Sequence, residues 1–291
     1  MHPDLSPSRV DSLSIGEYHG YQVDMLRDDL IHPLITGNKW RKLSGIIEQA
    51  KTLKKAHIVT FGGAYSNHLV ATAVAGKLFG IKTSAFIRGD EERPLNAFEE
   101  TCKSNGMELI HVSRSNYRNK SQLFDQYFDH QENTFMVDEG GRHALAYKGC
   151  MAILDDLHKT YDYIVLSVGT GTTMEGLIQG CIEKHLNTKI IGISSLKNNF
   201  ELDQIMDKYP SQYWQILHDY HRGKYAKFDS ELLTFIHQFK GVNNIALEPV
   251  YTGKMMMALV ALMEQKFFKK NAKILCIHTG GLPELMPIYR P

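Results

Sequence analysis

Neither sign of charge dominates this 291-residue chain: 33 Lys and Arg stand against 32 Asp and Glu, a formal net charge of +1. Such a balance gives no global field to draw in nucleic acid or an anionic membrane surface. No apolar run is long enough to read as a transmembrane helix. Nucleic acid and membrane are therefore not expected as partners. The opening segment, MHPDLSPSRVDSLSIGEYHGYQ, lacks a basic stretch followed by an apolar one, so export is not expected. Cysteine is scarce. Cys102, Cys150, Cys181 and Cys276 are widely spaced and form no C-x-x-C pair, which argues against a zinc ribbon, and no metal is expected. They read as small buried hydrophobes of a reduced, cytoplasmic protein. Internal repeats and low-complexity tracts are absent as well.

What the chain does have is a hydrophobic fraction of 43%, enough for a sizeable core. Beyond the first thirty residues, short β-branched runs alternate with helix-period stretches. HIVTF (57–61), KTSAFIR (82–88), MELIHV (107–112), TFMV (134–137), YIVLSV (163–168), KIIGIS (189–194) and KILCIH (273–278) predict strands. Between them, Val70, Ala73, Val74 and Leu78, and later Met174, Leu177, Ile178, Cys181 and Ile182, recur at helical spacing. A polar helix is expected near 120–130, and the Met255–Met257 run reads as helix core. Alternation of this kind predicts an α/β protein with parallel sheets covered by helices. More than six such units predict two domains. The segment 195–228, polar and carrying Tyr209, Tyr213, Trp214, Tyr220 and Tyr225, reads as an irregular excursion.

Three predicted strands run into turns rich in glycine and hydroxyls: FGGAYSNH (61–68), SVGTGTTMEG (167–176) and HTGGLPE (278–284). In open α/β sheets ligands bind beyond the carboxyl ends of the strands, so three such turns point to one polar ligand cleft. The turn after 168 is no dinucleotide fingerprint, because Met174 stands where a third glycine would and the next strand ends in Ser194-Ser195 instead of an acid. It also lacks the lysine of a P-loop. Its amides and three threonines suit a monophosphate, and a plain capped βα turn is the other reading. TGNKWRK (36–42) places three cations within four residues at a helix N-terminus, against the dipole. Either this is a solvated basic turn, or it holds a lysine with a depressed pKa that can form an imine.

Taken in order, TGNKWRKL, GGAYSNH, VGTGTT, EPVYTGKMM and HTGG resemble the family of 1-aminocyclopropane-1-carboxylate deaminase and D-cysteine desulfhydrase. The resemblance runs from about Gly37 to Gly281. It implies a pyridoxal 5'-phosphate enzyme of the two-domain tryptophan-synthase β-like fold (fold type II), a homodimer, and a small amino-acid substrate. It also implies domain bounds: 1–52 with 157–291 as the larger cofactor-binding domain, and 53–156 as a smaller inserted one. Carried over, Lys39 is the imine-forming lysine. Ser66 acts near the substrate α-carbon and carboxylate, and Asn67 bonds the phenolic oxygen of the cofactor. Ser66, Asn67, His68 and Tyr251 belong to the substrate side. Gly169, Thr170, Gly171, Thr172 and Thr173 hold the phosphate. Tyr251 and Tyr225 match two active-site tyrosines, and Thr279 faces the pyridine nitrogen.

Each residue also has an ordinary structural reading. Ser66 suits a helix N-cap, the tyrosines suit packing, and His68 suits a core or surface histidine. Within the family, the deaminases carry a glutamate where this chain has Thr252, while the HTGG threonine matches the desulfhydrase side. A hydroxyl does not enforce ring-nitrogen protonation as an anion does. The expectation is therefore a pyridoxal-phosphate lyase catalysing α,β-elimination and deamination, D-cysteine desulfhydrase-like, giving pyruvate, ammonia and sulfide. The alternatives are 1-aminocyclopropane-1-carboxylate deaminase (a hydrolase giving 2-oxobutyrate and ammonia) and a non-catalytic cofactor-binding protein.

Overall fold

In the computed structural model the described residues are 4–16, 20–54, 57–89, 93–128, 131–197, 199–223 and 228–286. The chain begins with strands β1 (Val10–Ser12) and β2 (Gln22–Leu26) and helix α1 (Asn38–Thr52). Next come β3 (His57–Gly63), α2 (Asn67–Phe79), β4 (Lys82–Arg88), α3 (Ala97–Ser104) and β5 (Met107–Val112). These lead to α4 (Lys120–Phe128), β6 (Thr134–Val137) and α5 (Ala144–Met151). The remainder is β7 (Tyr163–Val168), α6 (Thr172–Glu183), β8 (Lys189–Ser194), α7 (Glu201–Met206), β9 (Trp214–Leu217), α8 (Ser230–Asn243), α9 (Thr252–Glu264) and β10 (Lys273–Ile277). The seven predicted strands are all present. The segment 195–228 is more regular than its composition suggests, since it contains both α7 and β9.

Contacts divide the chain into two compact units: Met1–His32, Thr36–Asn38 and Cys150–Pro283 in one, Pro33–Ile35, Lys39–Gly149 and Glu284–Pro291 in the other. In the first, six strands form a sheet in the order β1-β2-β10-β7-β8-β9, parallel except for β1 against β2. β10 shows why its sequence makes a central strand. Ile274 and Cys276 enter a core with Met255, Met256, Leu259 and Leu262 of α9, while Leu275 and Ile277 enter the opposite core with Met174, Leu177 and Ile178 of α6. A strand buried on both faces must be apolar at every buried position, and from Ile274 to Ile277 this one is, with only the exposed Lys273 polar at its start. The methionine run is core, and the four cysteines are buried and form no disulfide.

The second unit holds a four-stranded, all-parallel sheet in the order β5-β4-β3-β6. Val59, Phe61, Phe86, Val112, Leu123 and Phe128 form a core on it. The unbroken run His68–Gly76 of α2 is buried. α1 lies with this unit, whereas the sequence-based bounds group residues 1–52 with the larger domain. The reason is close packing on α5: a Cβ on Gly149 would stand 1.8 Å from the Arg41 carbonyl oxygen, and one on Gly45 3.0 Å from that of Leu145. Glycine at both positions lets the two helices approach. Among the described residues no helix is long and apolar enough to cross a membrane.

Candidate active site

In the first unit β7 ends at Val168, and the chain turns through Gly169–Gly171 into α6. Gly171 is the N-cap with φ 82°, and no side chain caps the helix. The first-turn amides of α6 therefore have no internal partner, and the dipole adds positive potential where they point. Thr172 and Thr173 are buried, and Thr170 is exposed. From behind, Asn199 Nδ2 donates to the Gly169 carbonyl at 3.1 Å. A Cβ on Gly169 would lie 3.4 Å from the Tyr251 ring. The turn thus presents backbone amides able to receive an anion, with no cationic side chain in the turn itself.

Thr36–Asn38 is laid flush against the turn that follows β10. Gly37 has φ 65°, and a Cβ there would fall 2.1 Å from the Thr279 carbonyl. Gly280 mirrors it, because its Cβ would fall 2.6 Å from the Thr36 carbonyl. Asn38 Nδ2 donates to Thr173 Oγ1 at 2.9 Å. The residue preceding Lys39 is thus bonded directly to the first turn of α6. The Thr279 hydroxyl shares a buried 2.9 Å hydrogen bond with Ser167 Oγ.

The start of α9 is built around Glu248. Its carboxylate accepts the backbone N–H groups of Val250 (2.7 Å), Tyr251 (2.7 Å) and Thr252 (2.6 Å), and the Thr252 hydroxyl at 3.2 Å. Burial raises the Glu248 pKa, although these amides and the charge of His278 pull the other way. Thr252 is consequently committed to the cap. Two residues on, Lys254 Nζ is buried without a hydrogen-bond partner, and desolvation lowers its pKa.

In the second unit Lys39 is the second residue of α1 and is half-buried. Lys42, one turn on, is buried and donates to the Gly140 carbonyl at 3.0 Å. Ser66 caps α2, its Oγ accepting from Leu69 N at a long 3.4 Å. Asn67 Oδ1 is buried and unpartnered. His68 lies behind the loop: Nε2 is 2.8 Å from Thr60 Oγ1, and that hydroxyl donates to the Val137 carbonyl. Thr60 therefore accepts, so Nε2 carries the proton and Nδ1, buried and unpartnered, is the bare nitrogen. Burial, with help from Lys42 and Lys39, pushes the His68 pKa down to about 3.

The uncapped α6 N-terminus fits a phosphate, and the orphaned Asn67 carboxamide fits a polar ring substituent. Comparison decides which phosphorylated ring. A family model described as pyridoxal-phosphate dependent enzyme matches residues 10–280. The chain belongs to this family. Among relatives of this pyridoxal-phosphate enzyme, a putative 1-aminocyclopropane-1-carboxylate deaminase of Thermotoga maritima is 28% identical, covering 97% of this chain and 96% of the relative. A D-cysteine desulfhydrase of Serratia proteamaculans is 26% identical over 98% of this chain and 94% of its own length. The crystal structure of an ACC deaminase homologue superposes with TM-score 0.83 at 25% identity, covering 97% of this chain and 96% of that one. The tryptophan-synthase β-like fold, the pyridoxal phosphate cofactor and enzymatic activity follow from family membership.

Of the residues named from sequence, the first unit of this pyridoxal-phosphate enzyme gathers Gly169–Thr173, Tyr251 and Thr279. The second gathers Lys39, Ser66, Asn67 and His68. Tyr225 lies outside the described residues. Asn38, Ser167, Asn199 and Glu248 carry no role in the sequence reading, although Asn38, Ser167 and Glu248 stand inside TGNKWRK, SVGTGTTMEG and EPVYTGKMM.

Proposed function

We propose that this enzyme eliminates the β-substituent of a small D-amino acid in the manner of D-cysteine desulfhydrase, giving pyruvate, ammonia and sulfide from D-cysteine. Lys39 is the attachment point of the cofactor, Gly169–Thr173 bind its phosphate, Asn67 its phenolic oxygen, and Thr279 stands at its ring nitrogen. Bound there, pyridoxal phosphate supplies an electron sink for negative charge at the substrate α-carbon. The Lys39 amine takes up the α-proton and hands a proton on to the departing β-substituent, which leaves as sulfide. Ser66 positions the α-carbon from the substrate side. Amides of the Ala64–Asn67 loop grip the substrate carboxylate, and Tyr251 and Tyr225 orient the side chain. The two compact units serve as the larger cofactor-holding and the smaller substrate-holding domains.

The observation that carries this reading is the buried Ser167–Thr279 hydroxyl pair at 2.9 Å. Two neutral hydroxyls leave the ring nitrogen a moderate electron acceptor, where a carboxylate would hold it protonated. A moderate sink suffices to expel a thiol and is poorly matched to opening a cyclopropane. The relatives' names support the deaminase as the second reading. A side-by-side assay of D-cysteine, L-cysteine, D-serine and 1-aminocyclopropane-1-carboxylate separates the two. Pyruvate should form fastest from D-cysteine, whereas dominant 2-oxobutyrate from the cyclopropane would hand the assignment to the deaminase. Borohydride reduction followed by peptide mapping should place the cofactor on Lys39. Label on Lys42 instead would overturn that role.

A further inference from the structure

We infer that Asn96, outside every motif discussed so far, is a positioning residue that sets the geometry of the Ala64–Asn67 loop. This rests on the reading of that loop as the grip on the substrate carboxylate. Asn96 is the N-cap of α3, and its Oδ1 accepts the backbone N–H groups of Phe98 (2.9 Å) and Glu99 (3.2 Å). Its own backbone N–H donates to Glu99 Oε2 at 3.0 Å, which completes a capping box. Capping uses only the oxygen, so aspartate or serine would do it as well. The distinctive part of asparagine is its amide, and here Nδ2 donates to the Ala64 carbonyl at 3.1 Å, two residues before Ser66.

The donor is itself held firmly. Glu99 is 1% exposed, and it takes both Arg93 nitrogens (2.8 and 2.5 Å) and His111 Nε2 (3.1 Å). Burial works to raise its pKa, but the bonds from Arg93, Asn96 and His111 prevail and lower it, so the carboxylate stays charged. A second contact runs from the same turn to the same loop: the Phe98 ring meets Tyr65 edge-on, centroids 5.8 Å apart. The first turn of α3 therefore holds the loop at Ala64 through a hydrogen bond and at Tyr65 through a ring. Within the loop, Ser66 N donates to the Gly63 carbonyl at 3.1 Å. Without the Asn96 amide, the Ala64 carbonyl loses its side-chain anchor, and the peptide joining Ala64 to Tyr65 is held less firmly.

Asn96→Asp separates the two jobs, because it keeps the cap and turns the amide donor into an acceptor facing a carbonyl. The readout is calorimetric binding of D- and L-alanine to the holoenzyme, since alanine has no β-leaving group and is not consumed. Melting should stay within about 2 °C of wild type, because the cap is retained. Alanine affinity should fall roughly tenfold, about the worth of one lost hydrogen bond. Unchanged affinity would overturn the inference. If Asn96→Asp proves unstable, Asn96→Ser replaces it: serine caps α3 but carries no amide to donate. Weak binding by a stable Asn96→Ser enzyme supports the inference, and wild-type binding refutes it. Wild-type protein that binds neither alanine would instead remove the carboxylate-grip reading itself, and this inference with it.

Discussion

The helices α6 and α2 each follow a buried parallel strand and a glycine-containing turn, yet their N-termini are finished differently. α6 begins at a left-handed glycine with no side-chain cap. α2 begins at an extended serine whose hydroxyl accepts a backbone amide. Behind α6 the turn is braced by Asn199, Leu202, Met206 and Asn38, all packed or bonded within one unit. The α2 turn is braced by Asn96 and Phe98 and leaves Tyr65 55% exposed. A braced, uncapped turn suits a fixed anion that stays through every cycle. A capped turn with an exposed shoulder suits a molecule that arrives and leaves. The difference in backbone finish supports the proposal that the α6 turn serves the cofactor and the α2 turn the substrate.

The strongest way to break this comparison is at Gly37. A Cβ there would overlap the Thr279 carbonyl at 2.1 Å, and φ 65° is already unfavourable for alanine. Neither partner is a flexible side chain that can move aside. Gly37→Ala should cost at least about 4 kcal/mol of stability. It should lower soluble yield and, in what folds, remove cofactor binding, both read by denaturant melts and cofactor absorbance. A melt within 1 kcal/mol of wild type, on the order of an ordinary surface substitution, would show that Thr36–Asn38 is not clamped as described. Gly171→Ala is the next largest. Left-handed backbone costs alanine about 1–2 kcal/mol, and its Cβ would meet the movable ends of Leu202 (3.0 Å) and Met206 (3.2 Å). Pyridoxal phosphate should bind the apoprotein roughly 30-fold more weakly, equivalent to about 2 kcal/mol, as measured by fluorescence titration. An unchanged affinity would deny the turn its phosphate.

The sheets were legible because buried strands write themselves as short runs rich in apolar and β-branched residues: KTSAFIR, MELIHV, TFMV, YIVLSV and KIIGIS coincide with β4 to β8, although the edge strands β5 and β6 are only half-buried. β2 escaped because QVDML carries Asp24 in mid-strand. That carboxylate is tolerated only because Ser12, Tyr161 and Lys159 bond it. β1 (VDS) and β9 (WQIL) have three and four residues, and a polar side chain interrupts each, unlike the four-residue β6 (TFMV). At the site, the glycines and hydroxyls of the turns were visible in the sequence, since their composition is itself the signal. The clamp was not. Asn38 meets Thr173 and Ser167 meets Thr279 across 135 and 112 residues of chain, and local pattern carries no trace of such pairs. His68 is a further case: sequence placed it among the substrate contacts, while the fold ties its imidazole to Thr60.

That tie yields the smallest of the expected effects, and it belongs to the α2 side. His68 titrates near 3 in the folded protein against 6.5 as a free side chain, because burial and the neighbouring Lys42 and Lys39 disfavour the imidazolium. Between those values the unfolded chain binds a proton that the native state refuses. Stability therefore rises with pH: the His68 contribution is fully present above pH 6.5 and is lost as pH falls toward 3. The slope is about 1.4 kcal/mol per pH unit for one proton, so the fall from pH 7 to 5 should remove about 2 kcal/mol. His68→Gln keeps a donor for Thr60 and cannot titrate. Urea melts at pH 7 and pH 5 should show the wild type losing about 2 kcal/mol more than the variant over that interval. Equal losses would mean that the imidazole accepts its proton in the folded state. The buried Nδ1 would then face solvent or an acid, and the inert core histidine would become a titrating member of the substrate loop.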